Sequence, residues 1–365
     1  LIAFISLLIW LYLFFAHGRY WESAPELPPA TPSAFPDVDI VIPARDEAET
    51  IGQVIASLLA QDYAGNFRVI LVDDDSTDGT AALAGAAPNL RIITGGAKPP
   101  GWTGKLWALA QGVDASTAPV LLFADADIIH DNRHLSSLVA RLLSPRVDMV
   151  SEMVRLNCDS LAERALVPAF VYFFQMLYPF GRVNDPLSPT AAAAGGTVLI
   201  RREALERIGG IAAIKSALID DVALAHEVKK YGPIYLGHSG LAASIRPYPH
   251  FADIWRMVAR TAFTQLKYSA VVLAGTLLGL ALVWLVPAWE IVFGHGWRFL
   301  FGLAAFALAA ASYMPTLTRY RRSRLWAIAL PAIALFYMAA TLGSALNFWT
   351  GTGASWKNRA YGAVP

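Results

Sequence analysis

Apolar positions in this chain follow two different rhythms. Near both ends they form long runs almost free of charge, whereas between about residues 38 and 248 they come in short bursts separated by helical spacing. Leu1 to Gly18 holds no Asp, Glu, Lys or Arg and closes on His17-Gly18-Arg19-Tyr20-Trp21, the charged and aromatic edge that anchors a helix at a membrane interface. This predicts a transmembrane helix over 1–18, with a cleaved signal peptide as the alternative. Ala270 to Phe293 carries one acid, Glu290; Trp297 to Leu317 carries only Arg298; Leu325 to Trp356 carries no charge. Each run matches the roughly 20 residues a helix needs to cross a bilayer, so three C-terminal spans are predicted within 270–356.

Charge sets the expected topology. Arg319, Arg321, Arg322 and Arg324 lie between the second and third of these spans and assign that loop to the cytoplasm. Two crossings back, Arg260 and the chain before it fall on the same side, and Arg19 agrees. Residues 19–37 contain Pro25, Pro28, Pro29, Pro32 and Pro36 and read as an extended linker.

In the middle stretch, Val38–Ile42, Phe67–Val72, Leu90–Ile93 and Val120–Phe123 read as buried strands. Helical patterns follow at Glu47–Leu59, after Asp78 and at Leu106–Val113. Strands alternating with helices predict an α/β domain with a parallel, doubly wound sheet. Ligands bind such sheets beyond the carboxyl ends of the strands, which makes the polar residues there the candidates. The first strand runs into Pro43-Ala44-Arg45-Asp46-Glu47, the second into Asp73-Asp74-Asp75-Ser76-Thr77-Asp78-Gly79, the fourth into Ala124-Asp125-Ala126-Asp127.

Helix capping accounts for Asp78. It does not account for acids gathered along one sheet edge, which repel one another unless a cation sits among them. Carboxylates with no His or Cys beside them suit Mg²⁺ or Mn²⁺, and such an ion commonly completes its shell with water and substrate phosphates. The pattern points to a nucleoside-diphosphate compound. No Walker A sequence and no Gly-x-Gly-x-x-Gly after a strand is present, which disfavours the P-loop and dinucleotide-binding alternatives.

Composition sharpens this picture. Hydrophobic residues make up 56% of the chain and charged residues 16%, against about 25% charged in soluble domains. Twenty-nine Lys and Arg nearly balance 28 Asp and Glu, so global charge gives no reason to expect a nucleic-acid partner. The single cysteine, Cys158, excludes an internal disulfide framework. His130, His134, His226, His238 and His250 show no metal-ligand spacing on one helix face.

Val38–Glu47 resembles the opening of glycosyltransferase family 2, and Val69–Thr80 resembles its second strand and turn. Gly104–Gly112 is similar to the family's GKxxALNxG segment and Phe123–Asp127 to its metal-binding DxD. Gly195-Gly196-Thr197 through Gly210 resembles the segment lining the donor sugar, and Ile219–Leu224 stands where the family has its ED-type catalytic acid. The resemblance spans about 38–262. With the one-plus-three arrangement of spans, it is nearest to the ceramide-glucosyltransferase-like branch and the hopanoid-associated bacterial glycosyltransferases.

The resemblance implies a GT-A domain over 38–262 facing the cytoplasm at a bacterial inner membrane. It further implies inverting transfer from a nucleotide-sugar, of UDP type by family habit, to a lipid such as a hopanoid. Asp127 is the expected metal ligand, with Asp125 holding the ion directly or through water and ribose. Asp221 is the expected catalytic base; Asp220 stands in place of the usual Glu. Pro43, Ala44, Glu47 and Asp74 are expected around the nucleotide, Gly196 along the sugar, and Lys105 and Arg260 at the diphosphate. Helix capping is the competing account of Asp220 and Asp221, and a solvated helix-start lysine that of Lys105. The QxxRW motif of processive synthases is missing, Arg256–Thr261 standing in its place, which predicts a single transfer. The apolar stretch Leu166–Phe180 reads either as an interfacial helix guiding a lipid or as a core helix. Two other functions remain open: a polyprenyl-phosphate sugar transferase, and a silent nucleotide-sugar-binding scaffold of a lipid-synthesis complex.

Overall fold

Seven consecutive residues, Val38–Ala44, are buried along their whole length in the computed structural model, as a strand covered on both faces must be. The structure describes residues 1–351 and the pairs 355–356 and 359–360. Nine strands form one sheet: β1 (Glu26–Leu27), β2 (Val38–Ala44), β3 (Phe67–Asp73), β4 (Leu90–Thr94), β5 (Val120–Ala124), β6 (Ile128–His130), β7 (Met149–Arg155), β8 (Thr197–Arg201) and β9 (Ile234–Ser244). Their order is β1-β9-β7-β8-β5-β2-β3-β4, with β6 on β9.

The sheet is mixed, a correction to the all-parallel expectation. β8 runs against β5 and β7, and β6 against β9, whereas the other pairings are parallel. Hydrophobic periodicity is blind to strand direction, so the reversal left no trace in the pattern. The carboxyl ends of β2 and β3 are level, since Ala44 lies opposite Asp73, and β5 ends two residues earlier, with Val41 opposite Phe123. The amino end of β8 joins them, with Thr197 opposite Ala124.

Helix Gly104–Asp114 packs on this sheet through a residue with no side chain. A Cβ on Gly112 would lie 2.3 Å from Val41 Cγ1 and 3.1 Å from Val72 Cγ2, so the final glycine of the GKxxALNxG-like segment sets the helix-to-sheet distance. Thr103 caps that helix by accepting from the Leu106 amide.

The stretch 38–262 divides between two compact units. The sheet unit comprises 24–157 and 182–247; the helical unit comprises 1–23, 158–181 and 248–354, of which 352–354 lie outside the described residues. The expected linker 19–37 is not wholly extended: Tyr20–Glu22 makes a 3₁₀ turn and β1 pairs with His238 and Ser239 of β9.

Three helices of the second unit are long and apolar enough to cross a membrane: Ala270–Phe293, Trp297–Arg319 and Arg324–Trp349. The last was expected to reach 356, but its helix ends at Trp349. The N-terminal helix, Ile2–Phe15, has 14 residues and so rises about 21 Å. Helix Leu161–Leu177 is a core helix of this unit, because Ala162, Ala165, Leu166, Val167, Ala169, Val171 and Tyr172 are all buried. Ser160 and Glu163 form a capping box at its start. Tyr172 Oη lies 2.6 Å from Ser312 Oγ, and Tyr337 Oη donates to the Leu166 carbonyl at 2.8 Å.

Candidate active site

The polar residues at the strand ends of the sheet unit form one cross-linked rim. The turns after β2 and β3 are stitched together by side chains. Thr77 N–H donates to Asp46 at 2.8 Å, Glu47 N–H to Thr80 Oγ1 at 2.8 Å and Ala48 N–H to Asp78 at 2.9 Å. Asp78 also accepts from the Thr80 amide at 3.0 Å, although the cap residue of helix Thr80–Leu83 is Gly79. Arg45 donates to the Asp74 and Asp75 carbonyls, and the Asp74 amide donates to Ala44. Thr50 Oγ1 donates to Ala126 O at 2.8 Å, tying the first turn to the Asp125–Asp127 loop. The Asp125 amide in turn donates to Gly196 O at 3.2 Å.

Pro43, Lys105, Asp125, Gly195, Asp220 and Asp221 line a common cleft on that rim. Lys105 is not a solvated helix start. Its Nζ lies 2.9 Å from Asp125 Oδ1 and 3.0 Å from Asp220 Oδ2. Burial opposes the ammonium charge, but the two carboxylates outweigh it and hold its pKa well above the ordinary lysine range. Burial pushes the Asp125 carboxyl up; Lys105 works against that shift and the Asp127 charge adds to it.

Asp221 is pushed up to about 7, first by burial and then by the adjacent Asp220 charge, while Lys105 and the Val222 amide pull the other way. Its Oδ1 accepts from the Val222 amide at 2.8 Å in the first turn of helix Asp220–Lys229. The cap residue of that helix is Ile219, with no side-chain cap hydrogen bond, so the Val222 bond is not a cap. It leaves the other oxygen beside Gly195, where an added Cβ would come within 3.2 Å of Oδ2. A side chain at position 195 would thus press on that oxygen.

One residue that sequence reasoning passed over is central. Arg246, just beyond β9, donates from Nε to Asp127 Oδ2 at 2.8 Å and from one terminal nitrogen to both oxygens of Glu47 at 2.8 Å. Ser244 Oγ reaches the same Asp127 oxygen at 3.3 Å. β9 runs parallel to β7, and both β7 and β5 run against β8, so Arg246 follows a strand that ends at the same edge as the acids. Arg256 and Arg260 belong to the helical unit, in and just after helix Phe251–Ala259.

A divalent cation can be tested against this donor set. Asp125 gives Oδ1 to Lys105 and Asp127 gives Oδ2 to Arg246 and Ser244. Among the described residues, neither the other oxygen of Asp125 nor that of Asp127 has a hydrogen-bond partner, so each aspartate is oriented by one oxygen and offers the second. Five carboxylates (Glu47, Asp125, Asp127, Asp220, Asp221) face two cations here, leaving an excess of negative charge. Hard oxygen donors and residual negative charge fit Mg²⁺ or Mn²⁺ with outside ligands completing the shell. No group of three or more His, Cys, Asp or Glu converges on one point among the described residues, so an all-protein cage is not formed.

Residues 39–209 match the family model described as glycosyl transferase family 2. Over those residues the chain is similar to glycosyltransferase family 2. Its fold is GT-A. The structure of the mannosyltransferase PcManGT from Pyrobaculum calidifontis, in complex with GDP-Man and Mn²⁺, superposes with a TM-score of 0.57 over 95% of this chain and 98% of that one, at 20% identity. Among curated proteins, an N-acetylglucosaminyltransferase of Bradyrhizobium elkanii is 30% identical over 31% of this chain and 63% of its own length. Glycosyltransferase AglE of Haloferax volcanii is 26% identical over 48% of this chain and 56% of its own. The beta-monoglucosyldiacylglycerol synthase of Synechocystis is 27% identical over 53% and 42%. The chain thus spans between 42 and 63% of the length of these relatives.

Proposed function

We propose that this chain is an inverting, metal-assisted, non-processive glycosyltransferase that moves a sugar from a nucleotide-sugar to a membrane lipid, working from the cytoplasmic face. The observation that carries the reading is the cleft shared by Asp125 and Asp221. It sets an acid of the DxD-like pair and a carboxyl with a pKa near neutrality along one wall, with Lys105 between Asp125 and Asp220.

Asp221 is the base. As the acceptor oxygen bonds to the anomeric carbon and the bond from that carbon to the diphosphate oxygen breaks, the acceptor's hydroxyl proton passes to the Asp221 carboxylate. Attack from the side opposite the leaving group inverts the anomeric centre. A carboxyl poised near 7 is ionised often enough to accept the proton and basic enough to hold it. Lys105 carries positive charge toward the departing diphosphate and pairs with Asp220 beside the base. Asp125 and Asp127 would hold Mg²⁺ or Mn²⁺, which supplies a Lewis acid for the leaving group when bound. Pro43, Ala44, Glu47 and Asp74 border the nucleotide, and Gly196 gives the sugar close access to backbone.

Support for a lipid acceptor comes from the three apolar helices and from similarity to a relative whose name describes a glycolipid synthase. The loop arginines Arg319, Arg321, Arg322 and Arg324 favour a cytoplasmic catalytic side. The sequence resemblance makes hopanoids the first lipid class to offer.

The test is turnover by the purified chain in detergent, with UDP-sugars and GDP-mannose supplied alongside hopanoid, diacylglycerol and total membrane lipid, with and without Mn²⁺. Metal-requiring transfer to a lipid that vanishes in Asp221→Asn is the expected result. Binding of no nucleotide-sugar under any condition would sink the reading.

A further inference from the structure

The rim holds a cation that the proposed chemistry has not used. Arg246 is fixed at two points: its Nε on Asp127 and one terminal nitrogen forked across both oxygens of Glu47. These contacts occupy three of the five N–H donors a guanidinium carries. The remaining terminal nitrogen, with two donors, has no hydrogen-bond partner among the described residues, and the side chain keeps 30% of its surface exposed.

Such an arrangement is unlike an ordinary surface ion pair. The positive charge is held in place by two carboxylates from different parts of the rim, Glu47 after β2 and Asp127 after β5. A cation that is already positioned does not reorganise when an anion arrives, so its donors keep their full worth. The free face of a guanidinium matches two phosphate oxygens better than an ammonium does.

We propose that Arg246 is a donor-binding residue of the site, a prefixed guanidinium whose free nitrogen hydrogen-bonds the diphosphate of the nucleotide-sugar. This rests on the reading of the rim as a nucleotide-sugar site. A lipid phosphate offers the same chemistry, but both anchors of Arg246 belong to the donor side: Asp127 is in the DxD-like loop and Glu47 in the turn assigned to the nucleotide. The donor diphosphate is therefore the source. The contact is made by the side chain itself, so it persists when divalent metal is removed.

The experiment is titration calorimetry on the full chain in detergent with UDP, GDP and uridine, each with Mn²⁺ and again with EDTA. Wild type is compared with Arg246→Gln and Arg246→Lys, and thermal unfolding of each variant is recorded alongside. The expected result is a loss of about 10- to 100-fold in diphosphate affinity for Arg246→Gln in both buffers, the range of a hydrogen bond to a charged group. Uridine affinity should stay within about twofold, since a nucleoside has no phosphate to lose. Arg246→Lys, which keeps the charge without the fork, should fall between.

Three outcomes overturn the assignment while leaving the proposed function intact. One is an equal loss for uridine and diphosphates, which would make Arg246 only a brace for the two turns. Another is unchanged diphosphate affinity in both variants. The third is farnesyl phosphate displacing UDP from wild type but not from Arg246→Gln, which would give the guanidinium to a lipid phosphate. Wild type that binds no nucleotide in either buffer would overturn the proposed function together with this assignment.

Discussion

The Lys105 ammonium lies 3.0 Å from the carboxylate of Asp220, although the two residues are brought in by different helices, Gly104–Asp114 and Asp220–Lys229. Because the same nitrogen also meets Asp125, one side chain couples the acid pair after β5 to the helix that carries Asp221.

Removing that charge has two expected effects. Lys105→Met should weaken nucleotide-sugar binding by about 10-fold or more, the worth of a charge-assisted hydrogen bond. Lys105 also holds the Asp221 pKa down, so its loss should move the rising, acid-side limb of the rate profile to higher pH. Steady-state kinetics across pH 5 to pH 9 read both at once, with an unmoved limb counting against the coupling.

Asp221→Asn should lower turnover by about 10²- to 10⁴-fold, the usual contribution of a positioned base, with nucleotide affinity nearly unchanged. In wild type, kcat/KM should rise with pH through about 7, because the base works only when ionised. Stability runs the other way. The folded pKa is raised above the unfolded one, so the contribution of Asp221 is fully present below the unfolded value near 4 and is lost as pH climbs through 7. The variant should therefore melt at or above wild type at pH 8, with the advantage gone at low pH. Melting curves at pH 5 and pH 8 check the sign.

Asp127→Asn probes the acid pair. Nucleotide affinity gained on adding Mn²⁺ should shrink by about 10-fold or more once a hard anionic donor becomes a neutral amide. Calorimetry with and without EDTA measures that gain. Equal metal-dependent gains in wild type and variant would show that the ion binds elsewhere.

Gly112→Val concerns the fold alone. A Cβ there would lie 2.3 Å from Val41 Cγ1, so the helix must back away from the sheet. The expected cost is about 1–3 kcal/mol, typical of overpacking in a closed core, read as a lowered melting temperature. Lys105 rides on the same helix, and donor affinity should fall with it.

Much of this rim was legible before any coordinates, for a definite reason. Asp125, Asp127 and the Asp73–Asp75 run each follow a buried apolar strand, and strand ends in an α/β sheet converge on one edge. Lys105 and Asp221 stood out through family-like motifs. Other features were hidden by the kind of signal they give. Arg246 follows an ordinary strand and belongs to none of the motifs recognised. A two-residue strand such as Glu26–Leu27 has no period to detect. Helix Leu161–Leu177 is apolar on nearly every face, so its pattern could not distinguish a membrane surface from a packed interior.

The reversed direction of β8 has a consequence for how this chain can vary. β7 ends at Arg155 on the acidic rim and β8 begins at Thr197 on that same rim. Everything between them departs from and returns to one place, like a handle on a lid. The helix Leu161–Leu177 lies within that handle. Its length and content can change while Ala124 stays opposite Thr197. A chain that exchanged residues 158–181 for a different excursion would keep Gly195, Gly196 and its donor-side carboxylates in register.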